Sequence, residues 1–392
     1  MPSVDPWIGP RGSAAQRLLH ILREHGPITR PEAARLTGMS VGGIRPLVTA
    51  LIENGQLVEQ APSRAAGQGR GRPGAVLVPV LPDGVVLGLD FGHSHVCVAV
   101  ADLRGEHLVY ERCDLDVDRH AGDALDKAAQ LVRTLLRRSR RPRSAVVRVV
   151  AGLPGPVDRC GRMRSSTIAP SWWQLPIADE IAGRLRVRSA IVDVVNDAHL
   201  GALGEQRAGA GAGCSEFVYV KASHGLGAGI VLRGELYNGA NGLTGEIGHS
   251  VVQADGALCR CGSRGCLETV VSIERVREQI RFVVGGDQPD LATAVEHHPA
   301  ARRVVVEAGR ILGRALADVC NLLDPQRVVL GGELAAFGQP FVDGVAESIR
   351  RYGQPAVGET DVVVSALGER AQVVGATSLA AARARAELWS VG

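Results

Sequence analysis

The spacing of apolar residues over the first part of the chain is typical of short amphipathic helices. The first helix is predicted from apolar residues at intervals of three and four, namely Ala15, Leu18, Leu19 and Leu22. Thr29 is a suitable N-cap for a second helix, and Gly38 ends it. Ser40 can cap a third helix that runs to Asn54 and buries one apolar face, which comprises Ile44, Leu47, Val48, Leu51 and Ile52. A strand is predicted to begin at residues 56–60.

The second and third helices are separated by a tight turn at Gly38-Met39, which is typical of a helix-turn-helix. The second helix of such a pair can enter the major groove of DNA, and the following strand then belongs to a wing. Residues 40–45 would be the base-reading surface. Because Pro46 and the glycines before it are unfavourable inside a helix, we expect this helix either to begin later than Ser40 or to be kinked. A three-helix bundle that binds another protein is the alternative.

The distribution of charge favours DNA as the partner of this segment. Residues 1–74 contain nine Arg and five acidic residues, although the whole chain has a net charge of only +3. After the predicted wing strand, residues 69–73 resemble the core of an AT-hook, whose arginines lie in a narrow minor groove. The predicted DNA contacts are Arg30, Ser40, Val41, Gly42, Gly43, Arg45, Arg64, Arg70 and Arg72.

From Val85 onward, the pattern changes to buried strands that alternate with helices. Two strands surround a glycine turn after Val85, and a third precedes a helix near residues 121–141. The three-strand pattern of residues 85–113 recurs in outline at residues 215–238. This alternation predicts an α/β architecture of two related lobes with a cleft between them.

Length and composition set the broad class of the protein. A chain of 392 residues is long enough for two or three domains, and its 22% of charged residues is typical of a soluble globular protein. No apolar run is long enough to cross a bilayer, and the first residues lack the apolar core of a signal peptide. We therefore expect a cytoplasmic protein that does not bind a membrane. In a reducing compartment, clustered cysteines indicate metal binding more than disulfides.

One such cluster lies in the segment GHSVVQADGALCRCGSRGC. Its four candidate ligands are His249, Cys259, Cys261 and Cys266. Four nitrogen and sulfur ligands with no open position are typical of a tetrahedral structural zinc site. Cys259 and Cys261 are too close in sequence for an unstrained disulfide, and Gly262 and Gly265 allow the loop to fold back on itself. The sequence therefore predicts a structural Zn²⁺ site.

Seven short motifs occur along the chain in an order that resembles the ROK family (repressors, open reading frames and sugar kinases), in the branch with an N-terminal winged helix. They are LGLDFGHS, GLPGPVD, NDAHLGALGE, GLGAGIVLRGELYNGANGLTGEIGH, CRCGSRGCLE, LDPQRVVLGG and ALGERAQVVGATSLA. The resemblance implies a winged helix-turn-helix followed by a two-lobed actin-like ATPase fold, with sugar in the cleft. The expected domains are residues 1–80 for DNA binding, residues 81–200 with about 372–392 for lobe 1, and residues 201–371 for lobe 2 with the zinc loop.

The resemblance also assigns roles to individual residues. In the kinase members, the residue that matches Asp197 is the general base that removes a proton from a sugar hydroxyl. The expected sugar contacts are Asn196, Asp197, Glu246, His249 and Glu268. Because Glu246 and Glu268 flank the predicted zinc ligands, the metal would brace the sugar pocket, and His249 could face both.

The segments that bind phosphate in the kinases differ in this chain. His93 follows Asp90-Phe91-Gly92 where the kinases have Asp-Gly-Gly-Thr, and His224 stands within Ser223-His224-Gly225 where they have Gly-Thr-Gly. Imidazoles at these positions would crowd a space that backbone amides need to approach phosphate, so ATP binding is not expected. The alternative is that both histidines rotate into solvent and leave the loops working. In addition, residues 168–172 lack an Asn that contacts sugar in the kinases.

These observations together predict a sugar-responsive DNA-binding transcriptional regulator, most simply a repressor of carbohydrate metabolism. It is expected to be a homodimer or a dimer of dimers on a palindromic operator, with lobe closure changing the spacing of the DNA-reading segments. An ATP-dependent hexose kinase with an accessory DNA-binding domain is the main alternative. A structural zinc protein would leave the other motifs unexplained.

Overall fold

The computed structural model describes residues 14–25, 27–61, 75–285, 290–356 and 359–390. Contacts divide the chain into two compact units. The first unit comprises the described residues up to Gly84 together with those from Ala384 onward, and the second is Val85–Arg383. Within the described residues, no helix is both long and apolar enough to span a membrane.

The first unit contains three helices and a small antiparallel sheet. Its elements in chain order are α1 (Ala14–His25), β1 (Ile28–Thr29), α2 (Arg30–Thr37), α3 (Val41–Glu53), β2 (Leu57–Gln60) and β3 (Val76–Pro79). The strand order is β1-β3-β2. Leu18, Leu22, Ile44 and Val48 form a common core, as the apolar spacing predicted. The sequence pattern predicted the helices and β2 but not β1 or β3.

Local capping explains where these helices begin and end. Thr29 and Glu32 form a capping box at the start of α2, and Gly38 ends it with a φ of 71°. The Oγ of Ser40 accepts a hydrogen bond of 3.0 Å from the amide of Gly43, so α3 begins immediately after Ser40. Of the two alternatives expected from the sequence, a later start and a kink, the later start was therefore wrong. Pro46 lies inside α3, and because its nitrogen carries no hydrogen, one backbone hydrogen bond of the helix is missing near its start.

The second unit begins with a five-stranded sheet. Its strands are β4 (Val85–Gly92), β5 (His95–Asp102), β6 (His107–Asp114), β7 (Val146–Leu153) and β8 (Val192–Asn196), in the order β6-β5-β4-β7-β8. The first three strands are antiparallel, and β7 and β8 continue the sheet in parallel. Helices α4 (Ala121–Arg138) and α5 (Ile177–Leu185) bury apolar residues against this sheet.

A second five-stranded sheet has the same connectivity. Its strands are β9 (Phe217–Ala222), β10 (Leu226–Leu232), β11 (Glu235–Leu236), β12 (Arg327–Gly331) and β13 (Asp361–Val364), in the order β11-β10-β9-β12-β13. It packs with α7 (Ile273–Val284), α8 (Leu291–His297), α9 (Pro299–Leu323) and α10 (Gln339–Tyr352). The shared strand order confirms the predicted pair of related lobes and the actin-like α/β fold.

Helices α6 (Asp197–Ala208) and α11 (Ala371–Ser390) pack against each other, α6 also against β10 and α11 also against β4. A methyl group on Gly375 of α11 would lie 1.8 Å from the carbonyl oxygen of Leu200, so the two helices touch through their backbones. On β10, a methyl group on Gly229 would lie 2.5 Å from the Cβ of Ala202. Glycine at these positions allows the close packing that places the start of α6 in the cleft.

Candidate sugar and metal site

All five predicted sugar contacts line one cavity in the second unit. They are Asn196, Asp197, Glu246, His249 and Glu268. Residues from the first lobe, including His93 and Ile168, line the same cavity as Lys221 and Gly225–Gly227 of the second. The cavity therefore lies between the lobes, and its wall combines charged side chains with apolar residues such as Ile168 and Leu226. Ile168 stands in the segment where the kinase-type Asn was missing.

Asn196 positions the acidic residue that follows it. It is the N-cap of α6: its Oδ1 accepts a hydrogen bond of 3.0 Å from the amide of His199. Its Nδ2 donates to the carbonyl of Gly155 at 2.8 Å. Both ends of the amide thus have protein partners, and Asp197 is fixed as the first residue of the helix. A ligand can use only the remaining amide hydrogen and lone pair of Asn196.

Asp197 forms an ion pair with Lys221 of β9. The Nζ of Lys221 lies 2.5 Å from the Oδ2 of Asp197, and the two side chains are only 11% and 7% exposed. Burial opposes the charged form of Lys221, but the charges of Asp197 and Asp90 outweigh it and raise the pKa of the ammonium. Sequence reasoning did not assign Lys221 to the site. The sequence did contain one signal for it: this chain has only two lysines among its 44 basic residues, so a lysine in place of an arginine is unusual here.

Glu246 and Glu268 link the cavity to the cysteine loop, the segment 249–266 that carries the four predicted metal ligands. Burial, reinforced by the negative charges of Asp197 and Glu268, raises the pKa of Glu246 to about 7. The Oε2 of Glu246 lies 3.9 Å from the Nε2 of His249. Glu268 accepts from the amide of Leu226 at 3.4 Å and lies 3.3 Å from the Nε of Arg260, which stands between two of the cysteines.

The four predicted metal ligands come together at the edge of this cavity. The ligand atoms of His249, Cys259, Cys261 and Cys266 all lie within 4.8 Å of one another. The Sγ atoms of Cys261 and Cys266 are 3.7 Å apart, and the Sγ of Cys259 is 3.6 Å from the Nδ1 of His249. A tetrahedron with Zn–S bonds of about 2.3 Å and Zn–N bonds of about 2.0 Å has edges of roughly 3.5 to 3.8 Å. The donor set can therefore hold a metal ion, with His249 turning its other nitrogen to Glu246.

The cysteine loop needs a glycine where it folds back. Gly265 has a φ of +66°, and a methyl group on it would lie 1.5 Å from the carbonyl oxygen of Gln253. Its amide donates to the carbonyl of Ala257, and its carbonyl accepts from the amide of Val252 at 2.8 Å. The backbone alone thus holds this turn beside Cys266.

The two histidines in the phosphate-loop positions are held by carboxylates. The Nδ1 of His93 lies 2.8 Å from Asp118, and the side chain is 10% exposed. His224 lies 3.0 Å from Glu274 and 3.2 Å from Glu333, and its ring centroid is 5.8 Å from that of His93. The alternative in which both rings rotate into solvent was wrong, because each ring is held within the protein by an ion pair to a carboxylate. The rings instead face each other across the space between the two loops.

The ion pairs of His224 predict a measurable pH dependence of stability. Hydrogen bonds to Glu274 and Glu333 raise the pKa of His224 to about 9, against the opposing effect of burial. The pKa of unfolded histidine is about 6.5, so this stabilisation is complete below that pH and is lost as the pH rises through the folded value. We would measure the free energy of unfolding of the full chain in urea between pH 6 and 10. Wild type should be more stable than His224→Gln at pH 6, and this difference in stability should shrink as the pH rises toward 10. His120→Gln, which changes an exposed histidine, is the control. If the stability difference between wild type and His224→Gln did not depend on pH, the ion pairs of His224 would not be the cause.

The predicted DNA contacts lie partly on one exposed surface of the first unit. Ser40, Val41, Gly42, Gly43 and Arg45 are all exposed at the start of α3. Arg45 has no ion-pair partner within the described residues, whereas the Nε of Arg30 lies 2.5 Å from Glu59 on β2. The predicted contacts Arg64, Arg70 and Arg72, with the AT-hook-like segment, fall outside the described residues.

Comparison with known families identifies the class of this protein. The model of the ROK family matches residues 86–383, and the chain therefore belongs to the ROK family. The matched region begins next to the start of the second unit, so the three-helix unit is an addition to the family domain.

Particular relatives fall into two groups. The chain is 31% identical over 322 residues to a glucokinase of Thermotoga maritima, a match that covers 76% of this chain and 98% of the glucokinase. It is 25% identical to a xylose repressor of Caldicellulosiruptor bescii, with 92% of this chain and 94% of the repressor covered. The crystal structure of a ROK family transcriptional regulator, a homologue of the Escherichia coli MLC protein, superposes with a TM-score of 0.75 at 26% identity. That match covers 96% of this chain and 97% of the regulator.

Proposed function

We propose that this protein is a sugar-responsive transcriptional repressor, with the effector sugar bound in the cavity around Asp197. The proposal rests on how much of this chain its relatives cover. The repressor and regulator matches cover at least 92% of the chain, including the three-helix unit, whereas the glucokinase match covers 76%. A regulator needs that additional unit, and a kinase does not.

The chemistry of the cavity suits a polyol. Asp197, Glu246 and Glu268 offer carboxylate oxygens, and each buried sugar hydroxyl needs such an acceptor. Lys221 and His93 line the same cavity and add hydrogen-bond donors to it.

The proposal does not include phosphoryl transfer. His93 and His224 fill the space between the two loops that would have to cradle phosphates, and both are anchored by carboxylates. Glu333 adds a negative charge there, because the hydrogen bond from His224 lowers its pKa to about 2. A nucleotide would have to displace these ion pairs and bring further negative charge beside Glu333.

We further propose that the four-ligand cluster holds zinc and braces the sugar cavity. The nitrogen and sulfur donors and their tetrahedral spacing support zinc over a hard cation such as Mg²⁺. In this scheme the metal fixes His249 and the loop of Arg260, and these two residues orient Glu246 and Glu268. The role of the metal is structural.

The start of α3 is the proposed base-reading surface, with the protein acting as a dimer on a palindromic operator. We expect Arg45→Ala to weaken operator binding by about 1–3 kcal/mol, because Arg45 is the long cationic side chain on that exposed surface. Fluorescence anisotropy with a duplex that the wild-type protein has selected from a random library would measure this. Arg207→Ala, an exposed arginine of α6, is the control. Equal operator affinity of Arg45→Ala and wild type would exclude this surface.

A sugar titration of the protein–operator complex tests the function as a whole. Anisotropy of the labelled duplex would be followed while uncharged monosaccharides are added singly. At least one sugar is expected to change operator affinity. The proposal fails if the protein selects no duplex, or if operator binding is indifferent to every sugar.

A further inference from the structure

We propose that Lys221 is a positioning residue of the sugar cavity, whose ammonium holds the Asp197 carboxylate in place as an acceptor for sugar hydroxyls. The inference rests on the proposed sugar site and adds a residue that neither the motifs nor the relatives assign. It is carried by the ion pair between Nζ of Lys221 and Oδ2 of Asp197, at 2.5 Å, inside the cavity that both residues line.

The sheet provides a path for this side chain. Lys221 is opposite Gly227 on β10 and opposite Gly331 on β12. Directly opposite residues share one face of a sheet, and neither glycine has a side chain to occupy that face. The ring of Tyr219 occupies the face above Gly331, because a methyl group on that glycine would lie 2.3 Å from the Tyr219 hydroxyl oxygen. The room for the lysine stem is therefore on the side of Gly227, whose added methyl group would lie 3.2 Å from the Cβ of Ala198 in the first turn of α6. A lysine is the appropriate cation, because its compact ammonium needs less room than a guanidinium.

The surroundings explain why Asp197 needs a cation. Glu246 and Glu268 line the same cavity, and the carboxylate of Asp90 is buried nearby. A fourth carboxylate without a counter-ion would be repelled by these negative charges and would turn toward water, which would remove the fixed acceptor. Lys221 contacts only Oδ2, and within the described residues Oδ1 has no protein donor, so this oxygen is available to a ligand hydroxyl.

A double-mutant cycle on sugar affinity tests the inference. The affinity of wild type for glucose, xylose, mannose and N-acetylglucosamine would first be measured by calorimetry. The sugar that binds most tightly would then be used for all variants. Lys221→Met retains much of the length of the side chain without its charge, and Lys221→Gln is the second variant. Each would be made in wild type and in Asp197→Asn. Lys127→Met on α4, which changes the only other lysine, is the matched control.

We expect Lys221→Met and Lys221→Gln to lower sugar affinity by about 10- to 100-fold in wild type, the value of a hydrogen bond to a charged group. In the Asp197→Asn background, the same changes should cost no more than about two-fold, because a neutral amide needs no counter-ion. Operator affinity without sugar should be unchanged in all variants, which separates local effects from misfolding.

The outcomes distinguish this inference from the proposed function. Equal losses in the two backgrounds, or unchanged or tighter sugar binding by both single variants, would overturn the role of Lys221 and leave sugar regulation intact. Absence of sugar binding by the wild-type protein would overturn both the proposed function and the inference.

Discussion

Cysteine 261 replaced by serine is expected to abolish the sugar response while operator binding persists. Cys261→Ser removes one of four ligands whose donor atoms lie within 4.8 Å of one another. Because metal binding and folding of a structural zinc loop are coupled, loss of a ligand should release the loop that carries His249 and Arg260. Glu246 and Glu268 would then lose their neighbours, and we expect sugar affinity to fall by on the order of 100-fold or more, as for loss of several charged hydrogen bonds.

Three measurements would check this expectation on the full-length protein: zinc content by elemental analysis, sugar affinity by calorimetry, and operator affinity by anisotropy. Cys160→Ser is the control, because Cys160 is an exposed thiol outside the cluster. Removal of zinc from wild type with a chelator should reproduce the variant. A metal-free protein that responds normally to sugar would refute the link between the cluster and the cavity.

Asp197→Asn is expected to have the second large effect, a loss of sugar binding without loss of operator binding. The substitution replaces a charged acceptor with an amide and leaves the buried ammonium of Lys221 without its partner. Sugar affinity should fall by about 10- to 100-fold or more, the value of charged hydrogen bonds. Asp126→Asn, at an exposed position of α4, should behave like wild type.

The same variant separates the repressor from its main alternative. Wild-type protein incubated with ATP, Mg²⁺ and the sugar panel is expected to form no sugar phosphate, because His93 and His224, each paired with a carboxylate, stand where the kinases are expected to bind phosphate. Turnover by wild type that Asp197→Asn abolishes would instead identify an ATP-dependent hexose kinase, with Asp197 as its general base.

Much of this architecture could be predicted because its signals are local in sequence. The caps at Thr29 and Ser40 involve residues three positions apart, and the cysteine loop closes within one short segment. The repeated strand pattern around glycine turns predicted both lobes. β3 was not predicted, because a four-residue strand that ends in Pro79 has little pattern of its own and is defined by pairing with β2.

The electrostatics of the site could not be predicted, because the partners come from distant parts of the chain. His93 is anchored by Asp118, and His224 by Glu274 of α7 and Glu333 in the turn after β12. The contact between Lys221 and Asp197 could not be predicted either, because the two residues meet only where β9 lies beside the start of α6. Asn196 shows the opposite case: the motif predicted a sugar contact, and the structure reveals a helix cap that already uses both ends of its amide.

The most direct test of the central claim is a calorimetric titration of the effector sugar into the free protein and into its operator complex. Thermodynamic linkage requires the operator to change sugar affinity by the same factor by which sugar changes operator affinity. For a repressor that sugar releases from DNA, the account predicts weaker sugar binding to the complex, typically by about 5- to 150-fold. Identical sugar affinity in the presence and absence of operator would contradict it.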